Sequence, residues 1–218
     1  MPDLAVIPFI HPYKTVILAN GDFPEHPEAL FFLREAEQLI CCDGATESLV
    51  DFGLEPHYII GDLDSLSKET RIRYQHCLYP DPDQETNDLT KAVQFCRDHQ
   101  WTDITILGAT GKREDHTLAN ISLLTEYIKT TNVQMITNHG VFVPFTRTSV
   151  FETYAGQQVS VFTLKTDTVF TFHGLKYPLV RKKLLSWWQG SLNEALGEEF
   201  MVEIEGEGTA LLFREHRR

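Results

Sequence analysis

His57-Tyr58-Ile59-Ile60-Gly61-Asp62-Leu63-Asp64-Ser65 opens as a β-branched run and closes on a glycine followed by two carboxylates one residue apart. A short apolar run bounded by Gly and Asp reads as a buried strand that ends in a turn. Four other runs have the same character: Thr15-Val16-Ile17-Leu18-Ala19, Gln38-Leu39-Ile40-Cys41-Cys42, Asp103-Ile104-Thr105-Ile106-Leu107 and Val133-Gln134-Met135-Ile136. Between them lie amphipathic stretches, with Leu89, Ala92, Val93 and Cys96, then Leu118, Ile121, Leu124 and Ile128, at helical spacing. Strands alternating with helices from Thr15 to about Asn138 predict an α/β fold, a parallel sheet flanked by helices.

After about His139 the pattern changes to alternation, as in Val159, Val161 and Phe162, then Val169, Phe170 and Phe172, with Gly at the turns. This half reads as antiparallel β. Phe200-Met201-Val202-Glu203-Ile204-Glu205 and Thr209-Ala210-Leu211-Leu212-Phe213, joined by Gly206-Glu207-Gly208, read as a closing hairpin. Internal repeats and low-complexity linkers are not found.

The chain has 218 residues, 42% of them hydrophobic, which is enough to bury a core in one large domain or two small ones. A formal net charge of -12 without a basic block argues against a nucleic-acid surface. No run approaches the ~20 apolar residues of a membrane span. The N-terminus shows no secretory pattern, so a cytoplasmic location without membrane association is expected. Cys41, Cys42, Cys77 and Cys96 lack Cys-x-x-Cys spacing and read as buried free thiols. His11, His26, His57, His76, His99, His139 and His173 are scattered without zinc-ligand spacing.

Chemistry-bearing residues gather at strand ends. Asp43-Gly44-Ala45 follows the second run, Gly61-Asp62-Leu63-Asp64-Ser65 the third, and Gly108-Ala109-Thr110-Gly111 the Asp103 run. In an open parallel sheet, ligands bind in the crevice beyond the strand C-termini, so these motifs are expected to share one cleft. Asp and Gly also make ordinary turns, and a single Asp-x-Asp is more often that. Acidic sites at consecutive strand ends favour a metal: Asp43, Asp62 and Asp64 offer the few hard oxygens that suit Mg²⁺, whose coordination is completed by water and substrate phosphates.

Asp83-Gln84-Glu85-Thr86-Asn87-Asp88 opens a helix. Thr86 or Asn87 would cap it, acidic residues suit its first turn, and on its own this segment reads as capping before catalysis. Gly108-Ala109-Thr110-Gly111-Lys112-Arg113-Glu114-Asp115-His116 runs from a strand through a glycine turn into a helix, where backbone N–H groups favour phosphate. Arg113, His116 and Asn120 recur at three-to-four-residue steps, and Lys112 adds charge. The Gly-Lys-Ser/Thr ending of a P-loop is missing.

Taken together and in order, these segments resemble the thiamin pyrophosphokinase family, whose members carry an Asp-Gly-Ala-like strand end, a Gly-Asp-x-Asp-Ser motif, an acidic Gln/Lys-Asp-x-Thr-Asp segment and a Gly-rich Arg-x-Asp-His turn. Gly174-Leu175-Lys176-Tyr177-Pro178-Leu179 and Ser191-Leu192-Asn193-Glu194 are similar to that family's downstream elements. The resemblance implies an α/β catalytic domain binding ATP and Mg²⁺ (residues 1–138) and an antiparallel β-sandwich domain for thiamin binding and dimerisation (139–218). It also implies a homodimer, with thiamin between the α/β domain of one subunit and the β domain of the other.

Carried over by position, Asp43, Asp62, Asp64 and Asp88 form the metal and catalytic set. The ATP set is Gly108, Thr110, Gly111, Lys112, Arg113, Asp115, His116 and Asn120. The thiamin set is Gln84, Asp88, Tyr177 and Asn193, with the Tyr177 ring facing the cationic thiazolium. Trp187 and Trp188 are assigned mostly to packing. Four residues depart from the family pattern: Glu85 for Asp, Asn87 for Thr, Lys112 for a second Gly, and Leu192 for Ser. The implied reaction is pyrophosphoryl transfer from ATP to thiamin, giving thiamin diphosphate and AMP. The rivals are another Mg²⁺-dependent phosphoryl or nucleotidyl transferase and a binding module without turnover.

Overall fold

A computed structural model describes Leu4 and residues 6–217 and divides the chain into two compact units, Pro12–Asn138 and His139–Arg218 joined by the N-terminal Met1–His11. The first described strand, β1 (Val6–Ile7), belongs to the second unit, because it pairs in parallel with Val150 and Phe151. The α/β unit therefore starts at Pro12 and not at residue 1. Two residues of strand carry too little periodicity to be read from sequence.

In chain order the α/β unit is β2 (Thr15–Leu18), α1 (Pro27–Arg34), β3 (Gln38–Cys42), α2 (Ala45–Asp51), β4 (Tyr58–Gly61), α3 (Lys68–Arg73), β5 (Leu78–Pro80), α4 (Asp88–Asp98), β6 (Asp103–Leu107), α5 (Glu114–Tyr127) and β7 (Asn132–Ile136). Its strands lie in the order β7-β6-β2-β3-β4-β5, every neighbouring pair parallel. The chain progresses outward from β2 to β5 and then returns to the other flank of β2. The order thus reverses between β2 and β6, and a crevice opens there at the strand C-termini. Ile17, Ile40, Ile59, Ile104 and Ile106 are fully buried, the signature of strands covered on both faces.

The α4 stripe behaves as its spacing predicts, with Leu89, Ala92, Val93 and Cys96 all buried. The α5 stripe does not: Leu124 is buried, but Leu118 is 53% exposed. The first turns of α5 border the cleft beyond the strand ends, so only its later turns have a sheet to cover. β5 was not legible because it is a three-residue edge strand ending in Pro80, and proline is tolerated only at such an edge.

The second unit contains β8 (Gly140–Phe145), β9 (Ser149–Glu152), β10 (Gln158–Thr163), β11 (Val169–His173), β12 (Lys182–Lys183), β13 (Asn193–Glu194), β14 (Glu199–Glu205) and β15 (Ala210–Glu215). One sheet has the order β1-β9-β14-β11-β12, and β13-β10-β15-β8 form the other. Apart from the β1–β9 pair, the pairings in this unit are antiparallel. Phe145, Val161 and Leu212 from one sheet share a core with Phe151, Phe170 and Val202 from the other, making a β-sandwich.

The expected hairpin is not formed: β14 pairs with β9 and β11, and β15 with β8 and β10. The Gly206-Glu207-Gly208 loop crosses between sheets instead of turning within one. Period-two alternation shows which face a strand buries, and both strands bury one face in the same core, but it does not name the neighbour. All four cysteines are buried and unpaired, and no helix among the described residues is long and apolar enough to cross a membrane.

Candidate active site

Asp43, next after β3, sits with φ +22° and is 3% exposed. Its N–H donates to the Ile60 carbonyl at 2.9 Å, and its Oδ2 accepts from the Ser65 N–H at 3.2 Å. Its Oδ1 is buried with no hydrogen-bond partner. Burial, with repulsion from Asp88, Asp62 and Asp64 added, pushes the carboxyl up to about 6 despite the Ser65 contact.

Leu63 takes φ +67°, a left-handed conformation costly for a branched side chain, and so turns Asp62 and Asp64 out of the strand. Asp62 Oδ1 accepts from the Asp64 N–H at 3.1 Å. That backbone bond, helped by Gln84, holds the Asp62 carboxyl below its usual range. Asp43, Asp62 and Asp64 each bring a ligand atom within 4.8 Å of the others. A set of carboxylate oxygens with one buried and unpartnered atom suits a hard divalent cation.

Asp88 opens α4 and approaches from the other side. Gly61 makes this possible: a Cβ there would lie 2.9 Å from Asp43 Cβ and 3.3 Å from Asp88 Cγ. Asn87 is the N-cap, its Oδ1 accepting from the Thr90 N–H at 2.9 Å, so capping and the site occupy adjacent residues. Gln84 Nε2 lies 3.4 Å from Asp62 Oδ2.

The β6 end forms the opposite wall. Lys112 holds φ +54°, and its Nζ donates to Asn20 Oδ1 at 2.9 Å. Arg113 makes a two-pronged pair with Asp115, both side chains exposed, and each shifts the other toward its charged form. The expected backbone donors are partly spoken for: the Gly111 N–H goes to Thr117 Oγ1 at 3.0 Å and the His116 N–H to Asp115 Oδ1 at 2.9 Å. Asn120 Nδ2 donates to the Ala109 carbonyl at 2.9 Å, tying α5 to the turn.

A cleft of about 640 Å³ runs between these walls, lined by Asp62, Gln84 and Asp88 on one side and Gly111, Lys112, Arg113, His116 and Asn120 on the other. Asp43 and Asp64 are grouped with Asp62 but do not themselves line the cleft. Gly108 and Thr110 act through backbone, their carbonyls accepting from the N–H groups of Gly21 and Asp22 at 2.6 and 2.8 Å. Tyr177 and Asn193 belong to the other unit. There Asn193 accepts from the Tyr177 N–H at 3.0 Å and donates to its carbonyl at 2.8 Å, and Tyr177 is 61% exposed. Trp187 and Trp188 are exposed as well, so neither fills the core of this chain.

Asn20 and Lys91 are among the lining residues that sequence reasoning missed. Asn20 follows β2 in Ala19-Asn20-Gly21-Asp22, a strand end of the same kind as the three singled out, so the signal was present. Lys91 lines the cleft from α4, but three residues after Asp88 it looks like an ordinary surface helix pair.

Residues 31–137 match the model of the thiamin pyrophosphokinase catalytic domain, and residues 140–213 that of the thiamin pyrophosphokinase substrate-binding domain. The thiamine pyrophosphokinase of Bacillus subtilis is 30% identical over 177 residues, which span 76% of this chain and 82% of that protein. The chain belongs to the thiamin pyrophosphokinase family. Thiamin pyrophosphokinase 1 of Caenorhabditis elegans is 30% identical over 103 residues, 43% of this chain and 42% of that one. The crystal structure of the Bacillus subtilis enzyme superposes with a TM-score of 0.77 at 26% identity, covering 94% of this chain and 100% of that one. Yeast thiamin pyrophosphokinase shares the fold, with a TM-score of 0.79 at 16% identity over 98% of this chain and 92% of that one.

Family membership gives the departures a structural meaning. Asn87 caps α4 as a threonine would. Lys112 and Leu192 both sit at positive φ, +54° and +58°, where Gly is least strained. Leu192 is 79% exposed, and its N–H donates to Ser160 Oγ at 3.2 Å.

Proposed function

We propose that this chain transfers the pyrophosphoryl group of ATP to the hydroxyl of thiamin in a Mg²⁺-dependent reaction, and that Asp43, Asp62 and Asp64 hold the metal. The observation that carries this reading is the cleft at the sheet's switch point, with carboxylates on one wall and Lys112 and Arg113 on the other. Bound there, Mg²⁺ would neutralise phosphate charge and help orient the triphosphate. The orphaned Asp43 Oδ1 supports that ligand set.

The remaining work falls to the chain. Lys112 and Arg113 face the negative charge of the phosphates, and Arg113 exchanges Asp115 for phosphate when ATP enters. Asp88 orients the thiamin hydroxyl for in-line attack on the β-phosphorus. The new O–P bond forms as the bond to the bridging oxygen of AMP breaks, and the hydroxyl proton passes to Asp88 or to water. His116 and Asn120 line the nucleotide side, while Gln84 faces thiamin.

The proposal extends to a homodimer acting in the cytoplasm, in which the exposed ring of Tyr177 from a second copy stacks on the thiazolium. Asn193 supports this contact by fixing the Tyr177 backbone. A coupled assay for AMP tests the reaction: AMP must appear only when ATP, Mg²⁺ and thiamin are all present. ADP release in its place would assign a plain kinase, and tight binding without nucleotide turnover would assign a binding module.

A further inference from the structure

Among the described residues Lys91 is the one buried lysine, and its side chain is 3% exposed. An ammonium is costly to take from water unless it is paired and hydrogen-bonded, and nothing in the α4 hydrophobic stripe calls for one. Its Nζ reaches two acceptors, Asp88 Oδ1 at 3.3 Å and the Asp81 carbonyl at 3.0 Å. The Asp81 N–H in turn donates to the Gly61 carbonyl at 2.8 Å, so Lys91 is fastened through the residue after β5 to the end of β4, directly before Asp62. Asp88 itself lies close to Asp43 across Gly61, in a neighbourhood that also holds Asp62 and Asp64. The carboxylate of Asp43 repels that of Asp88, and Lys91 gives Asp88 a cation at 3.3 Å.

We propose that Lys91 is a positioning residue for the transfer reaction, supplying the counter-charge and the fixed hydrogen bond that hold Asp88 beside the acceptor hydroxyl, apart from the Asp43, Asp62 and Asp64 group. This rests on the function proposed above. Lys91 acts through Asp88 and does not need to touch either substrate. Losing it frees the Asp88 carboxylate to swing, which should slow the chemical step and leave substrate binding largely intact.

The test compares wild type, Lys91→Met, Asp88→Asn and the double variant, with kcat, the KM of ATP and of thiamin, and thermal melting measured for each. Lys91→Met should lower kcat at least tenfold with both KM values within threefold, and should change kcat less than threefold once Asp88 is already Asn. The inference is overturned if kcat of Lys91→Met stays within threefold of wild type, or if the loss falls on the KM of ATP, making Lys91 a phosphate contact. A further tenfold loss in the Asp88→Asn background also overturns it. Should Lys91→Met fail to fold, recovery of folding in the double variant supports the pairing, whereas failure of both makes Lys91 a packing residue and sinks the idea. Wild type without thiamin-dependent AMP release would fail the function itself; active wild type with an indifferent Lys91 fails only this inference.

Discussion

At the ends of β3 and β4 the carboxylates are held by the protein itself: Asp43 is buried, Asp62 accepts a backbone N–H, and Leu63 is strained to aim them. At the end of β6 the cations stand in solvent, with Arg113 parked on Asp115 and Lys112 resting on Asn20. The first wall is fixed by the fold; the second, in the proposed reaction, would be completed by ATP. An exposed ion pair contributes little to folding, so Arg113 can leave Asp115 cheaply, whereas Asp43 is buried with one carboxylate oxygen unpartnered.

The sharpest way to break that contrast is to remove a charge from the acidic wall. Asp62→Asn should lower thiamin-dependent AMP production by about a hundredfold or more, the scale of losing a preorganised electrostatic contact, while the melting temperature stays close to wild type. Near-normal turnover at saturating Mg²⁺ in a folded variant would remove Asp62 from the metal set.

Asp43 tests whether the wall is strained. Its folded carboxyl is raised to about 6, above its ordinary value near 3.8, so the folded chain binds that proton more tightly than the unfolded chain. Stability is therefore favoured below that window and lost as pH rises through it, with the full penalty present above about pH 6. In metal-free buffer Asp43→Asn should exceed wild-type stability above pH 6 by about 1–2 kcal/mol once solvent screening is allowed for. The gap should close toward pH 4 and shrink when Mg²⁺ is added to wild type. Denaturant melts across that range decide it, and a gap independent of pH would mean the carboxyl is unstrained.

The basic wall should respond more mildly and to one substrate. Arg113→Ala is expected to weaken ATP binding by about tenfold, the range of a charge-assisted contact, with thiamin binding and melting temperature little changed. Calorimetric titration with each substrate separates the outcomes. Equal losses for both would make Arg113 a support for the whole cleft.

Much of this was legible in local pattern. The β-branched runs at β2, β3, β4, β6 and β7 and the polar residues directly after them place a cleft at the strand ends, because strand direction and crevice position follow from parallel topology. The α4 stripe was likewise legible, since burial of Leu89, Ala92, Val93 and Cys96 follows from helical period alone. Where local pattern failed, the deciding partner lay far away in sequence. β14 and β15 were readable as strands, but their assignment to opposite sheets depends on neighbours at β9, β11, β8 and β10.

By itself, then, the sequence determined the α/β-then-β organisation, the acidic and glycine motifs and the family, all written in residue types and short spacings. Only the tertiary structure decided that β1 joins the sandwich, that Leu118 stays exposed, that Asn20 reaches Lys112 and that Lys91 is buried against Asp88. Periodicity reports which way a side chain points relative to its own element. What it meets there depends on where the rest of the chain has packed, and that information exists only once the strands have found their order.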